Sequence, residues 1–228
     1  MNQLTVELRE FLLHQGADLA GCANLPFLEG ELTCGAAVAV RIPVAIIKEI
    51  EKKPTEEYYQ AYHLLNQRLN RIVTAGAAFL EERGYKALAQ TTERVVTTPN
   101  QRTRLPHKTV AVHSGLGWIG KNNLLTTEKY GGAVRLSSLL TNAPLEGERV
   151  MAPRCGACQA CQTACPAGAI YGTLWQLGMD RDEMFSMENC RQTATSLCRE
   201  FGRETDICGR CFALCPYTQR YVKGGENE

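Results

Sequence analysis

The residues that announce chemistry are cysteines. The chain has eleven; nine fall between Cys155 and Cys215, and only Cys22 and Cys34 lie earlier. One run reads Cys155-x2-Cys158-x2-Cys161-x3-Cys165-Pro166, and a second reads Cys208-x2-Cys211-x3-Cys215-Pro216. Thiolates two residues apart on a tight turn can present sulfur to adjacent irons of one cubane. The x3 step followed by proline turns the last sulfur toward a neighbouring cluster. Clustered cysteines in a reducing compartment read as metal ligands rather than disulfides.

The spacing is that of bacterial ferredoxins, in which each run lends its last cysteine to the other site. It assigns Cys155, Cys158, Cys161 and Cys215 to one [4Fe–4S] cluster. The second cluster takes Cys165, Cys208 and Cys211 and needs one more ligand. The second run is a cysteine short, so Cys190 and Cys198 are the candidates for that place. Structural zinc is the competing reading, but its sites want two cysteine pairs or a pair with histidines. No histidine lies beyond His113, and the Cys-Pro ending occurs twice. Cys22 and Cys34 read as small buried hydrophobes.

A second motif runs HSGLGWIGKNN from His113 to Asn123. Gly115-x-Gly117-x-x-Gly120 matches a dinucleotide fingerprint, and Gly115-x4-Gly120-Lys121 nearly matches a phosphate loop. Both need a strand before and a helix after. Here residues 106–114 read as helix and NNLLTT as strand, so a tight loop beside some other flat ligand, or a simple turn, is the expectation.

The elements that must position these groups follow from periodicity. Leu4, Leu8, Phe11 and Leu12 share a helical face. Asp18–Cys22 and Ala36–Ile42 read as strands. A long helix is expected from Thr55 to Arg83, with Tyr62, Leu65, Leu69, Ile72 and Phe79 on its apolar stripe and Gly76 filling the gap in it. Gly84 would end it. Further strands are expected at Lys86–Ala89, Asn123–Thr127 and Val134–Leu140. Strands alternating with helices give an α/β sandwich over residues 1–148. Residues 142–153, with two prolines and a glycine, form the junction to a two-[4Fe–4S] ferredoxin-like domain over 149–228.

Composition narrows the class further. With 44% hydrophobic and 21% charged residues the chain can bury a core, and a formal charge of +1 demands no polyanion. Arg94, Arg102, Arg104, His107 and Lys108 make a local basic stretch, read as solvated charge. The amino-terminal stretch lacks the cationic lead and apolar run of an export signal. The apolar stretch 35–47 is broken by Arg41 and Pro43 and is too short to span a bilayer. The expectation is a soluble, cytoplasmic chain with no membrane partner.

GLGWIGKNNLLTTEKYGG, followed by VRLSSLLTNAPL and CGACQACQTACPAGAI, resembles the epoxyqueuosine reductases and, more distantly, the corrinoid-dependent reductive dehalogenases. The likeness extends weakly upstream to the Tyr62-His63 helix. It implies a nitroreductase-like, corrinoid-binding α/β module joined to the two-cluster module, with reduced cobalt attacking a substrate. It also implies that Gly115, Gly117, Trp118, Gly120 and Lys121 lie by the corrinoid (cobalamin), and that Cys190, in ENCRQTAT, is the eighth cluster ligand. The family carries a proton-donating Asp upstream of the glycine loop. The matching position falls at or near Gln101, and no Asp occurs between Asp18 and Asp180. Glutamine cannot deliver a proton at neutral pH, so epoxide reduction on tRNA is not expected.

Three readings remain open: a corrinoid-dependent reductase acting on a small-molecule substrate, an electron carrier that docks a protein, and a chain binding another organic cofactor. An electron-donor protein is the expected partner.

Overall fold

A computed structural model describes residues 1–225. Its contacts divide the chain into two compact units: Met1–Arg41, Leu64–Gly117 and Arg135–Met151 form the first, and Ile42–His63, Trp118–Val134 and Ala152–Glu228 the second. The last segment of the second unit begins inside the expected Pro/Gly junction. Two upstream segments group with it as well.

The first unit is a sheet with helices against it. Strands β1 (Leu19–Asn24), β2 (Cys34–Arg41), β3 (Ala87–Gln90) and β6 (Val134–Thr141) form a four-stranded sheet in the order β1-β2-β6-β3. β1 pairs antiparallel with β2, Leu19 opposite Ala39, and β3 pairs antiparallel with β6, Ala87 opposite Thr141. One sheet face presents Ala20, Cys22, Ala36, Val38, Val40 and Leu139 to α1 (Gln3–His14) and to the later turns of α3 (Glu56–Glu81). The apolar stripe on α3 is thus what the sequence pattern required, with Leu69, Ile72, Val73 and Leu80 fully enclosed. β2 is buried along all but its last residue because α4 (His107–His113) covers it from the other side.

Several boundaries follow local chemistry. Asn2 caps α1 by accepting the Thr5 amide. Gly84 has φ +84° just past α3, the left-handed stop expected there. α2 (Val44–Ile50) was not anticipated: its residues continue an apolar strand-like run, but Pro43 stands at its N-cap and starts a helix instead.

The second unit has little regular sheet. β4 (Trp118–Ile119) and β5 (Leu125–Thr126) form a short hairpin. The cysteine region contributes only short helices, α5 (Ala160–Ala164), α6 (Met187–Arg199), α7 (Arg210–Ala213) and α8 (Pro216–Gly224). Polar contacts tie its segments together. Arg203 grips Glu56 with two nitrogens at 2.9 and 2.6 Å. Tyr221 donates to the Ile42 carbonyl at 3.1 Å, and Thr218 Oγ1 accepts the Gly132 amide at 2.9 Å. Among the described residues no helix is long and apolar enough to cross a membrane.

Candidate metal centre

Each cysteine run is a turn, a short helix and a proline stop. The Cys158 amide bonds back to the Cys155 carbonyl at 2.9 Å around Gly156, which takes φ +49°. α5 then carries Cys161 and ends at Cys165, whose extended ψ of 113° precedes Pro166. In the second run Gly209, with φ +86°, opens α7, which carries Cys211. Cys215 is the N-cap of α8, with Pro216 at its first turn. The proline explains the x3 step: it forces the preceding cysteine out of helical conformation and re-aims its sulfur.

The electrostatic neighbours of these thiols fall into two sets. Cys161 feels Cys215, Cys155 and Cys158, and burial together with these neighbours raises its pKa to about 11. Cys190 feels Cys165 and Cys208, and burial followed by these neighbours raises it likewise to about 11. Cys211 is raised by burial and then by Cys208, Cys190, Cys161 and Cys165, so it also feels one member of the other set. Burial and neighbouring thiols thus disfavour the thiolates of Cys161, Cys190 and Cys211 unless a cation lies among them. Among the described residues no three His, Cys, Asp or Glu side chains converge as ligands of a single ion. A cubane takes one thiolate per iron and needs no such convergence.

Backbone amides already point at the sulfurs. The Ala169 amide donates to Cys165 Sγ at 3.4 Å; burial raises the Cys215 pKa, and the amides of Tyr217 and Thr218 offset only part of that rise. Cys198, the other candidate between the runs, also has Cys208 as a neighbour but lacks Cys165, is buried on α6 and donates to the Ile207 carbonyl at 3.0 Å. Cys22 and Cys34 are buried in the sheet-bearing unit, where desolvation pushes Cys22 up to about 12. They are packing residues, as their isolation in the sequence suggested.

The glycine motif divides between the units after Gly117. A helix precedes it and a hairpin follows, which removes the dinucleotide and phosphate-loop readings. At Gly115, φ is +71° and a side chain would run into Glu148 Cβ at 2.6 Å. A Cβ on Gly120 would sit 2.8 Å from Asn122 Oδ1 and Thr126 Oγ1 in the hairpin turn. Trp118 is fully buried, edge-on to Tyr217 at 4.9 Å, with the Arg154 guanidinium 5.5 Å from its ring centre. Its indole N–H is buried and lacks a partner among the described residues. Lys121 Nζ donates to the Cys158 carbonyl at 3.0 Å. Nothing in the sequence signalled that contact, because its partners lie 37 positions apart.

The first unit holds a cavity of about 350 Å³ beside edge strand β3. Leu28, Leu88, Val95, Leu105 and Leu140 give it an apolar wall, and Arg94 and Arg104 stand at it with Glu29 and Glu31. Thr103 also lines it, with a buried hydroxyl that has no partner among the described residues. Two members of the basic stretch read as solvated charge thus border a cavity. Gln101 lies on the same loop in the left-handed region, φ +58°, closing a turn in which its amide donates to the Thr98 carbonyl at 2.8 Å. That conformation is unusual for a residue other than glycine or asparagine.

One unit thus carries the two cysteine runs, with a backbone amide donating to Cys165, and the other a sheet with helices against it; known proteins narrow the kinship. No family model matches the chain. It is 35% identical over 118 residues to the epoxyqueuosine reductase of Listeria monocytogenes, a match covering 48% of this chain and 29% of that enzyme. A catabolic reductive dehalogenase structure superposes with a TM-score of 0.73 at 15% identity, covering 96% of this chain and 33% of that one. An epoxyqueuosine reductase crystallised with an epoxyqueuosine-modified tRNA stem loop superposes at 0.62 and 21% identity, covering 95% and 66%. The likeness to epoxyqueuosine reductases expected from the motifs is therefore present in sequence, and the mixed α/β fold is shared with both groups. The chain spans less than two thirds of the length of these relatives, 29% to 52% among the first four curated ones.

Proposed function

We propose that this chain is an iron–sulfur oxidoreductase similar to epoxyqueuosine reductase. Cys155, Cys158, Cys161 and Cys215 would hold one [4Fe–4S] cluster, and Cys165, Cys190, Cys208 and Cys211 a second. The observation that carries the reading is the partition of the thiols: the neighbours of Cys161 and of Cys190 are the partners that the cross-wired spacing demands. The hydrogen bond from Cys198 to Ile207 supports Cys190 as the eighth ligand.

When bound, the clusters supply one-electron chemistry, and a corrinoid in the sheet-bearing unit would supply a reactive metal. The residues do the rest. Burial and the neighbouring thiols favour the protonated forms of Cys161, Cys190 and Cys211 in the free chain, so iron must displace those protons on binding. The orphaned Thr103 hydroxyl, Arg94 and Arg104 offer polar partners to part of an organic ligand against an apolar wall. One relative's structure is described as suggesting a mechanism for B12-dependent dehalogenation, which favours a corrinoid as that ligand. A related epoxyqueuosine reductase is described with an aspartate on its catalytic loop; Gln101 at or near that place offers no transferable proton. The reaction proposed is a reduction of a small molecule rather than of epoxyqueuosine in tRNA, with electrons from a donor protein. Gln101 also favours a second reading, an electron-transfer protein without catalysis of its own.

Anaerobic protein should contain about eight irons and eight sulfides per chain. Zinc in place of iron would end the cluster reading. Added cobalamin should shift its absorption and remain bound through gel filtration. Loss of the corrinoid there selects the electron-transfer reading, and brisk turnover of epoxyqueuosine-containing tRNA would refute the inference from Gln101.

A further inference from the structure

Lys121 occupies the turn of the β4–β5 hairpin and is only 7% exposed. Its ammonium reaches the Cys158 carbonyl, and no carboxylate pairs with it among the described residues. A buried ammonium is costly without negative charge nearby, and one carbonyl uses one of its three protons. The hairpin is built to hold it there. Asn123 takes φ +58°, the Asn123 amide donates to the Gly120 carbonyl at 2.8 Å, and the Gly120 amide donates to the Leu124 carbonyl at 2.9 Å. Trp118, at the base of the hairpin, packs between Arg154, which precedes the first cysteine run, and Tyr217, which follows the second.

We propose that Lys121 is a positioning residue for the cluster of Cys155, Cys158, Cys161 and Cys215, and that its fixed charge raises the reduction potential of that cluster alone. The inference rests on the two-cluster reading above. An oxidised cubane core with four thiolates is a dianion, and one electron makes it a trianion. A desolvated cation beside one of its ligand loops stabilises the reduced form more than the oxidised one. The electron comes from the donor, no bond is made or broken, and the ammonium keeps its protons. The other set has its own cation: Arg210 lies between Cys208 and Cys211, with its Nε donating to the Glu51 carbonyl at 3.2 Å.

The test is a redox titration of the full chain with both clusters, followed by electron paramagnetic resonance. Lys121→Gln keeps a donor for the Cys158 carbonyl and removes the charge. It should weaken reduction of one cluster about tenfold, 59 mV for a one-electron couple, and leave the other midpoint in place. Lys121→Arg should restore the midpoint. Arg210→Gln should move the midpoint that Lys121→Gln leaves alone. Asn122→Asp, which keeps the acceptor for the Leu124 amide, adds a negative charge in the same hairpin turn and should lower the same midpoint as Lys121→Gln. Both midpoints moving together, or neither moving in Lys121→Gln and Asn122→Asp, overturns the proposal. So does loss of iron from Lys121→Gln, which would make the residue a structural brace only. Wild-type protein lacking iron would instead sink the cluster reading beneath it.

Discussion

The sheet-bearing unit and the cysteine-bearing unit stay folded by different means. In the first, one continuous core joins α1, α3 and all four strands, and its members are aliphatic side chains recurring at helix or strand period. In the second, the stretch from Ala152 onward has few large buried side chains. Its unit draws Ile42, Ile47, Ile50, Trp118, Ile119 and Leu125 from segments far upstream. The remaining cohesion is polar, as in the Arg203–Glu56 pair and the Gln219 amide donating to Glu51 at 2.7 Å. A small region with so little apolar core is the kind that metal stabilises, and the proposed clusters would make binding free energy there folding free energy.

With iron bound as proposed above, stripping it is the largest perturbation that separates the two. Chelation under reducing conditions should erase amide protection in residues 152–225 while strands β2 and β6 keep theirs. Hydrogen exchange followed by mass spectrometry reads this directly. Equal loss in both units would mean that the first cannot hold its fold without the metal centre.

Two glycines sharpen the contrast at a smaller scale. Gly131 has φ +57°, and a side chain there would overlap the backbone of Thr218 on α8. Gly131→Ala combines backbone strain with a clash that no rotamer relieves, and should cost more than about 2 kcal/mol and deplete iron. Gly76 lies inside α3, where alanine normally gains about 1 kcal/mol. Here its Cβ would meet Leu12 Cδ2 and Leu139 Cδ2, each at 2.7 Å. Gly76→Ala should instead destabilise the first unit by about 1–3 kcal/mol with iron content unchanged. Leu139→Ala alone should cost about 2–5 kcal/mol, and the double variant less than the sum, because truncating Leu139 vacates the space that the added methyl needs. Thermal unfolding and iron assays distinguish the two glycines.

The same contrast explains what could be read in advance. α1, α3, α4 and the four sheet strands were legible because burial on one or two faces imposes a period. Gly76 was legible as the gap in the α3 stripe. α2 was not, since Val44–Ile50 carries the same aliphatic composition as the strand before it and only Pro43 separates them. In the second unit the cysteine spacing was legible, yet the helices between were not: α5 and α7 are too short to show a period. The contacts of Trp118 and Lys121 were hidden for another reason. Their partners Tyr217, Arg154 and Cys158 are remote in sequence, so only the folded chain brings them together.

A pH-dependent effect is expected at His107, at the first turn of α4. Burial, and then the positive charge of Arg135, lower its pKa from 6.5 to about 4. Its Nδ1 lies 2.9 Å from Ser138 Oγ on β6, a contact a neutral ring can make as donor or acceptor. The first turn of a helix also disfavours a cation. Between pH 6.5 and 4 the unfolded chain binds this proton and the folded one does not, so stability rises with pH across that window. The contribution is complete above pH 6.5 and is lost as pH falls toward 4, by about 1.4 kcal/mol at most for each pH unit. His107→Asn removes the titration and should flatten the curve. Amide protection in β2 and β6, compared between the two proteins from about pH 7 to about pH 4.5, isolates this effect from acid damage to the cysteine-bearing unit. A wild-type curve that runs parallel to that of His107→Asn would mean that the folded chain lets this ring take its proton at its ordinary pKa.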